Sequence, residues 1–432
     1  CSSGVDLAMS EYEQRISIDQ VRVGLFIRLE DWMDHPFLFN SFKIRNEKQL
    51  HVLRSMGIQH VIYVREKSEL PPLPPPKEEA PPPPPAEPDP EVEAMFQAKK
   101  ERREKLSQQR EAMGRVEKRF SGGVSTVKSL LRNLFSRSAE SIHEAQSLVS
   151  DMVDSLLEEK DVLLHLMNAK SGDENAYYHA LNVTMLSLIL GKEAKLTPGE
   201  MRALGLGTLL HDMGKERVPS QILLKKTPWT TAERNFYQQH VLYGVEMAQK
   251  LPDVTAPVLE IVAMHHELLD GSGYPGRLKG ERIGRFARIA CIANVFDNYC
   301  NRPNPADSMT PAEAIAHMFK RETGKYDPDL MQHFIRCMGV YPPGSIVQID
   351  NGLIGLVMSV NPGQLLHPSL LIYDPDVPKE EALWLDLAEE RDLSVAKTLR
   401  PGELDKAVFD YLQPRSRVSY YSESNVSAKR TQ

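Results

Sequence analysis

Two stretches decide the reading of this chain. One is Leu209-Leu210-His211-Asp212-Met213-Gly214-Lys215; the other is His265-His266-Glu267-Leu268-Leu269-Asp270-Gly271-Ser272-Gly273-Tyr274-Pro275. Neutral imidazole and carboxylate are ligands for Mn, Fe, Co, Ni or Zn, and the absence of cysteine from the set argues against a structural zinc site. A lone histidine on a helix is more often core or surface than ligand. Here six of the thirteen histidines gather in one helical region: His179, His211, His240, His265, His266 and, more weakly, His165. An adjacent His-Asp at a helix end can give a ligand to each of two metals, with the carboxylate bridging. Two ions about 3.5–4 Å apart can share a hydroxide and clamp a phosphoryl oxygen, which suits in-line hydrolysis of a phosphodiester. Lys215, three residues after Asp212, is placed to meet a phosphate oxygen or the leaving group. The plainer reading of Lys215 is a cation complementing a helix C-terminus. Gly271, Gly273 and Pro275 make a tight loop after the histidine pair, where backbone can approach a ligand or partner closely.

Around these stretches, residues 175–340 read as helical. Three capping boxes announce helices: Thr197-Pro-Gly-Glu200, Thr230-Thr-Ala-Glu233 and Thr310-Pro-Ala-Glu313. Upstream, Ile142, Ala145, Val149, Met152, Leu156, Leu163 and Leu166 form a seam at heptad spacing, either a dimerisation helix or a helix packed on its own domain. Residues 99–119 carry a local basic excess, read as a solvated helical face. The prolines of 71–90 fix φ and remove amide donors, so a polyproline spacer is expected there.

At the N-terminal end, residues 16–29 partly alternate as strands do, Asn46–Gln49 offers a capping box for a helix stopping at Gly57, and His60–Val64 is β-like. After Tyr341 the texture becomes β again: Ile346–Ile349 and Leu353–Val360 flank Asp350-Asn351-Gly352, a hairpin signal, and Leu370–Tyr373 adds a strand. The expected fold class is multi-domain and mainly α-helical. Its parts are a small α+β domain (9–66), a Pro-rich linker (67–92), a charged helical connector (93–135), a helical domain (136–340), a small β-module (341–414) and a polar tail (415–432). The first eight residues, ahead of Met9, are set aside as an added leader.

Composition narrows the function classes. The 432 residues are ample for at least one large core, and Lys+Arg 52 against Asp+Glu 59 leaves a net charge of −7, so no global basic field points to DNA or a membrane surface. No apolar run approaches the ~20 residues that span a bilayer, and no signal-peptide pattern opens the chain. Four cysteines form neither a CxxC pair nor a disulfide framework, which fits a reducing, cytoplasmic location.

In the helical region the sequence resembles the HD-GYP subgroup of HD-domain phosphohydrolases. The matching elements are Tyr177-Tyr178-His179, Leu209–Lys215, His240, His265-His266-Glu267, Asp270–Pro275, and Phe296-Asp297 with Arg302-Pro303. The N-terminal 60 or so residues are similar to the small domain of unknown function often found before such modules. The resemblance implies a phosphodiesterase that cuts cyclic di-GMP to pGpG, and in many members on to GMP, with two or three metals, commonly iron or manganese. It implies His179, His211, Asp212, His240, His265 and His266 as ligands with Asp212 bridging, Lys215 and Arg302 as substrate contacts, and Gly273-Tyr274-Pro275 as a signature loop that meets GGDEF-type cyclases in some members.

Two departures bear on activity. The family's IAD motif reads Ile292-Ala293-Asn294 here; an amide can coordinate through its oxygen but brings no charge, and Asp297, three residues on, could substitute only if the helix shifts. Members with three metals carry Glu four residues before the first ligand histidine, where this chain has Asn175; Glu174 is rotated ~100° away on a helix, so two metals are expected. A basic residue often present after the Arg-Pro pair is replaced by Asn304-Pro305. The alternative expectation is a degenerate module that binds cyclic di-GMP or partner proteins with little turnover.

Overall fold

The computed structural model describes residues 13–423 except 30–36, 38, 57, 76–89, 135, 159–162, 169–174, 226, 303–306, 362, 376, 380–381, 391 and 413–417. Two compact units are seen, one comprising residues up to Glu111 with Asp374–Leu383, the other the remainder.

The first unit contains an antiparallel sheet made by β1 (Glu13–Ser17), β2 (Phe26–Arg28), β3 (Ser41–Lys43) and β4 (His60–Val64), in the order β1-β4-β2-β3, with α1 (Glu47–Ser55) between β3 and β4. Ile16, Leu25, Ile27, Leu50, Leu53 and Val61 close its core. The Asn46 side chain caps α1 on the Gln49 amide at 2.9 Å, as the sequence predicts. The reciprocal bond differs: Gln49 Oε1 accepts from Arg45, one residue upstream of the cap, at 2.8 Å.

Helix α2 (Pro90–Asn133) leads into α3 (Ser138–Glu158). Ile142, Ala145, Val149, Met152 and Leu156 are all buried on α3, inside the core of their own unit. The heptad seam is thus consumed within the chain, and its face is not free to dimerise. Its last two members are not helical at all: Leu163 and Leu166 lie on β5 (Leu163–Asn168), which pairs antiparallel with β11 (Val418–Glu423). The expected polar tail therefore contains a strand, carried by the β-formers Tyr420 and Tyr421.

The helical body follows as α4 (Asn175–Glu193), α5 (Pro198–Leu210), a 3-10 turn (Met213–Arg217), α6 (Ser220–Leu223), α7 (Thr231–Gln238), α8 (His240–Ala248), α9 (Ala256–Met264), α10 (Arg285–Cys300), α11 (Pro311–Lys320) and α12 (Pro328–Met338). All three predicted capping boxes form, on α5, α7 and α11, with both reciprocal bonds present. Helices α4, α5 and α10 are buried along most of their residues, as elements at the centre of a bundle are.

The chain then forms β6 (Ile346–Ile349), β7 (Ile354–Ser359), β8 (Ser369–Ile372), β9 (Trp384–Asp386) and β10 (Val395–Leu399), an antiparallel sheet in the order β10-β6-β7-β8-β9, and α13 (Lys406–Leu412). The predicted β6–β7 hairpin turns through Asp350-Asn351-Gly352, where Gly352 takes φ +88°. Ile346, Leu356, Met358, Val408 and Leu412 join the helical core, and Arg400 reaches the α11 capping residue Glu313 at 2.6 Å. This module is continuous with the helical body. Among the described residues, no helix is long and apolar enough to cross a membrane.

Candidate metal centre

Helix ends build this site. The last carbonyls of a helix have no amide partner within it. In three places a histidine supplies one: His211 Nδ1 lies 2.6 Å from Thr208 O at the end of α5, His240 Nδ1 2.6 Å from Tyr237 O at the end of α7, and His265 Nδ1 3.1 Å from Val262 O at the end of α9. A carbonyl only accepts, so each Nδ1 must carry the proton. That fixes the tautomer and leaves each Nε2 lone pair for a metal. His179, on α4, is held differently. Its Nδ1 meets Asp297 Oδ2 at 2.6 Å, and Asp297 in turn accepts from Asn182 and Asn301 at 2.9 and 2.8 Å on its other oxygen.

Asp212 joins the parts. Its Oδ2 faces His179 Nε2 at 3.4 Å and His211 Nε2 at 3.3 Å; its Oδ1 faces His240 Nε2 at 3.5 Å and His265 Nε2 at 3.7 Å. Two donor sets result, His179-His211-Asp212 and Asp212-His240-His265-His266, each with ligand atoms within 4.8 Å of one another. Glycine permits this convergence. A Cβ on Gly214 would sit 1.9 Å from His240 O and 2.4 Å from Gly244 N, so only a bare Cα lets the turn after Asp212 lie against α8.

The donors fit divalent metal. His179 Nε2, His211 Nε2, Asp212 Oδ1 and His266 Nε2 are buried without a hydrogen-bond partner, a cost that a cation would remove. Electrostatics agree. Burial holds His240 down to about 4 and lowers His265 and His266 well below the usual histidine range, with neighbouring imidazoles adding to the effect, so these rings stay neutral and able to coordinate. His179 differs: burial opposes its charge, but the adjacent Asp212 and Asp297 carboxylates overcome this and raise that ring to about 9, so a metal there has to displace its second proton. Burial also works against the Asp212 carboxylate, yet His211 and Lys215 outweigh it and keep it ionised. Lys215 forms an ion pair with Asp212 Oδ2.

The Gly273-Tyr274-Pro275 loop is part of the same wall. Tyr274 stacks on His266 with centroids 4.5 Å apart and planes 21° from parallel. Its position is set by Glu267, whose buried carboxylate accepts from the amides of Gly276 at 2.5 Å and Leu278 at 2.8 Å, and by the bond from Tyr274 N to His266 O at 3.1 Å. Gly273 has no room for a side chain, since a Cβ would lie 2.4 Å from Leu268 N.

The remaining sequence candidates sit as follows. Asn294 is buried on α10; its Oδ1 accepts from Asn298 at 2.7 Å, and its Nδ2 has no partner. Asp297, weighed as a stand-in ligand, is instead the carboxylate behind His179. The Arg302 guanidinium lies over the Tyr299 ring at 5.1 Å. His165 is on β5, and its side chain, like that of Asn175, is outside the described residues, as are Glu174, Asn304 and Pro305. Sequence reading did not anticipate Asp297 and Asn182 behind His179, or the carbonyls of Thr208, Tyr237 and Val262. One signal was present: five ligand candidates, His211, Asp212, His240, His265 and His266, fall one or two residues past a helix end.

Comparison with known proteins supplies the family. A model described as "Domain of unknown function (DUF3391)" matches residues 13–145, and one described as "HD domain" matches 151–330. The "Cyclic di-GMP phosphodiesterase PA4108" of Pseudomonas aeruginosa is 29% identical over 366 residues, 83% of this chain and 85% of that protein. Residues 151–330 thus form an HD domain. Other relatives share less of their length. The "Cyclic di-GMP phosphodiesterase response regulator RpfG" of Xanthomonas campestris is 29% identical over 44% of this chain and 51% of that protein. The "3'3'-cGAMP-specific phosphodiesterase 2" of Vibrio cholerae is 31% identical over 42% of this chain and 35% of that protein. The HD-domain match covers the whole histidine cluster, and the two donor sets use every ligand histidine that the sequence resemblance named.

Proposed function

We propose that this chain is a metal-dependent phosphodiesterase that hydrolyses cyclic di-GMP to pGpG, with GMP the product of a second cut, at a two-metal site. One observation carries the reading: Asp212 turns one carboxylate oxygen to His179 and His211 and the other to His240 and His265. The ligands are His179, His211 and Asp212 for one ion and Asp212, His240, His265 and His266 for the other, with the Asn294 oxygen completing the first set. Divalent ions there, iron or manganese by family, would activate water and neutralise phosphoryl charge.

The chain's own residues do the rest. Water adds to phosphorus, the bond to the 3′ oxygen breaks, and that oxygen takes up a proton. Lys215 supplies the mobile positive charge that steadies it. The Tyr274–His266 stack makes a flat, rigid wall for the substrate, and Arg302 over Tyr299 offers a cation to a phosphate or a guanine face. The cyclic di-GMP names of the two relatives quoted first support this substrate.

A second reading rests on Asn294, which brings no charge to the first donor set and is already engaged by Asn298. On that reading the module binds nucleotide or a cyclase partner with little turnover. A third, suggested by the cGAMP-specific relative, is a different cyclic dinucleotide.

The test is to load the protein anaerobically with Fe(II) or Mn(II), add cyclic di-GMP and separate products by chromatography, with His265→Ala in parallel. Formation of pGpG or GMP by the wild type alone is the expected result. Bound metal and bound nucleotide without product would overturn the enzymatic reading, and faster cleavage of 3'3'-cGAMP in competition would overturn the substrate.

A further inference from the structure

Between the turn that carries Lys215 and helix α8, residues 220–239 make a detour that folds on itself. The Trp229 indole N–H donates to Ile222 O at 3.0 Å, Lys225 pairs with Glu233 at 2.6 Å, and Glu233 also closes the capping box on Thr230. The product of this bracing is the placement of one ring. Trp229 packs on Tyr237 with centroids 4.5 Å apart, and Tyr237 packs on His240 at 4.8 Å. The Lys215 ammonium lies over the Tyr237 ring, 5.5 Å from its centroid. The backbone carbonyl of the same residue holds His240 Nδ1.

Lysine is a compact charge on a flexible four-carbon stem, so it needs an anchor to act at one place. Lys215 has two, the Asp212 carboxylate and the face of the Tyr237 ring. Asp212 is also the carboxylate shared by both donor sets, so any metal there competes with the ammonium for its oxygens. Tyr237 belongs to neither set, and its hold on the lysine does not depend on metal. We propose that Tyr237 is a positioning residue that aims Lys215 at the substrate phosphate, with the Trp229-braced detour as its support. The proposal rests on the reading above that Lys215 meets phosphate; the role of Tyr237 is additional to it.

Tyr237→Leu removes the aromatic face beneath the Lys215 ammonium and keeps an apolar side chain and the backbone carbonyl that holds His240; Tyr237→Phe, which keeps the face, is the control. In Mn(II)-loaded full-length protein Tyr237→Leu is expected to lower kcat/KM for cyclic di-GMP about tenfold, the scale of a small misplacement of a reacting group. Metal content should equal that of the wild type. In a Lys215→Ala background the same change should cost nothing, because there is no ammonium left to aim. Equal losses in both backgrounds, no loss in either, or loss of metal would overturn the proposal. If the wild type turns over no cyclic di-GMP, the substrate reading fails on its own. The same four proteins titrated with inorganic phosphate then decide the point: coupling between positions 215 and 237 in phosphate affinity supports Tyr237 acting through Lys215, and additivity refutes it.

Discussion

His179 and Asp297 are joined through the ring nitrogen that points away from Asp212: His179 Nδ1 lies 2.6 Å from Asp297 Oδ2, while Nε2 faces Asp212 at 3.4 Å. The carboxylate behind the ring fixes which nitrogen is free and raises its basicity as a ligand. Asp297→Asn keeps the size and can still accept the bonds of Asn182 and Asn301, but removes the charge. Metal affinity at the first donor set should fall by roughly 10–100-fold with the helical fold intact. Metal titration followed by calorimetry checks this; unchanged affinity would mean that Asp297 serves packing alone.

Asn294→Asp addresses the neighbouring departure from the family motif. The Asn298 amide that now donates to Asn294 Oδ1 at 2.7 Å can donate equally to a carboxylate, so the substitution needs no new partner. It adds a negative charge one helical turn before Asp297, the carboxylate behind His179. Tighter metal binding and a higher rate are expected. In metal-free protein the buried carboxylate should cost stability. A rate that stays flat while metal content rises would show that the amide already suffices for turnover.

Much of this was legible because the signals are local. A capping box is four residues long, and Thr197, Thr230 and Thr310 each begin a helix as read. The hairpin at Asp350-Asn351-Gly352 is equally local. The ligand histidines were visible as motif positions, although their convergence depends on long-range packing that spacing alone does not express. What was lost is non-local. Leu163 and Leu166 continue a heptad count by accident, and only pairing with β11 some 250 residues later makes them a strand. Asp297 looked like a substitute ligand because the sequence gives its distance from Asn294, not the side of His179 on which it stands.

Gly273→Ala should damage the loop that carries Tyr274. The added Cβ would meet Leu268 N at 2.4 Å, His266 O at 2.5 Å and Glu267 Cα at 2.6 Å, all fixed atoms. Overpacking of this kind costs about 1–3 kcal/mol. It should also lift Tyr274 from His266, so activity should fall further than stability does. Gly199→Ala, with nothing within 4 Å of its Cβ, is the control and should be neutral or stabilising. Equal thermal midpoints for the two variants would show that the loop yields without cost.

The brace on α7 gives a pH test. The Lys225 ammonium and the Thr230 amide draw the Glu233 carboxyl down to about 2, against an ordinary value of 4.5. A carboxyl lowered on folding contributes stability above pH 4.5 and loses that contribution as pH falls through about 2. Glu233→Gln should therefore have a lower thermal midpoint than the wild type at neutral pH, and the gap should close between pH 4.5 and 2. A gap independent of pH would place the effect in packing and not in charge.

Metal removal should unfold the centre's advantage in a measurable way. Among the described residues, four buried donor atoms, His179 Nε2, His211 Nε2, Asp212 Oδ1 and His266 Nε2, have no hydrogen-bond partner, so the metal-free fold holds polar groups that no protein group satisfies. Metal bound only by the folded state stabilises it by about 2.7 kcal/mol at a hundred times its dissociation constant. For a domain of this size that corresponds to roughly 5–10 °C in thermal midpoint. Adding Mn(II) or Fe(II) to chelator-treated protein should raise the midpoint by that amount, and His265→Ala, which removes a donor from the second set, should reduce the rise. An identical metal response in His265→Ala and wild type would mean that the ion sits elsewhere, and the two-set assignment would fail with it.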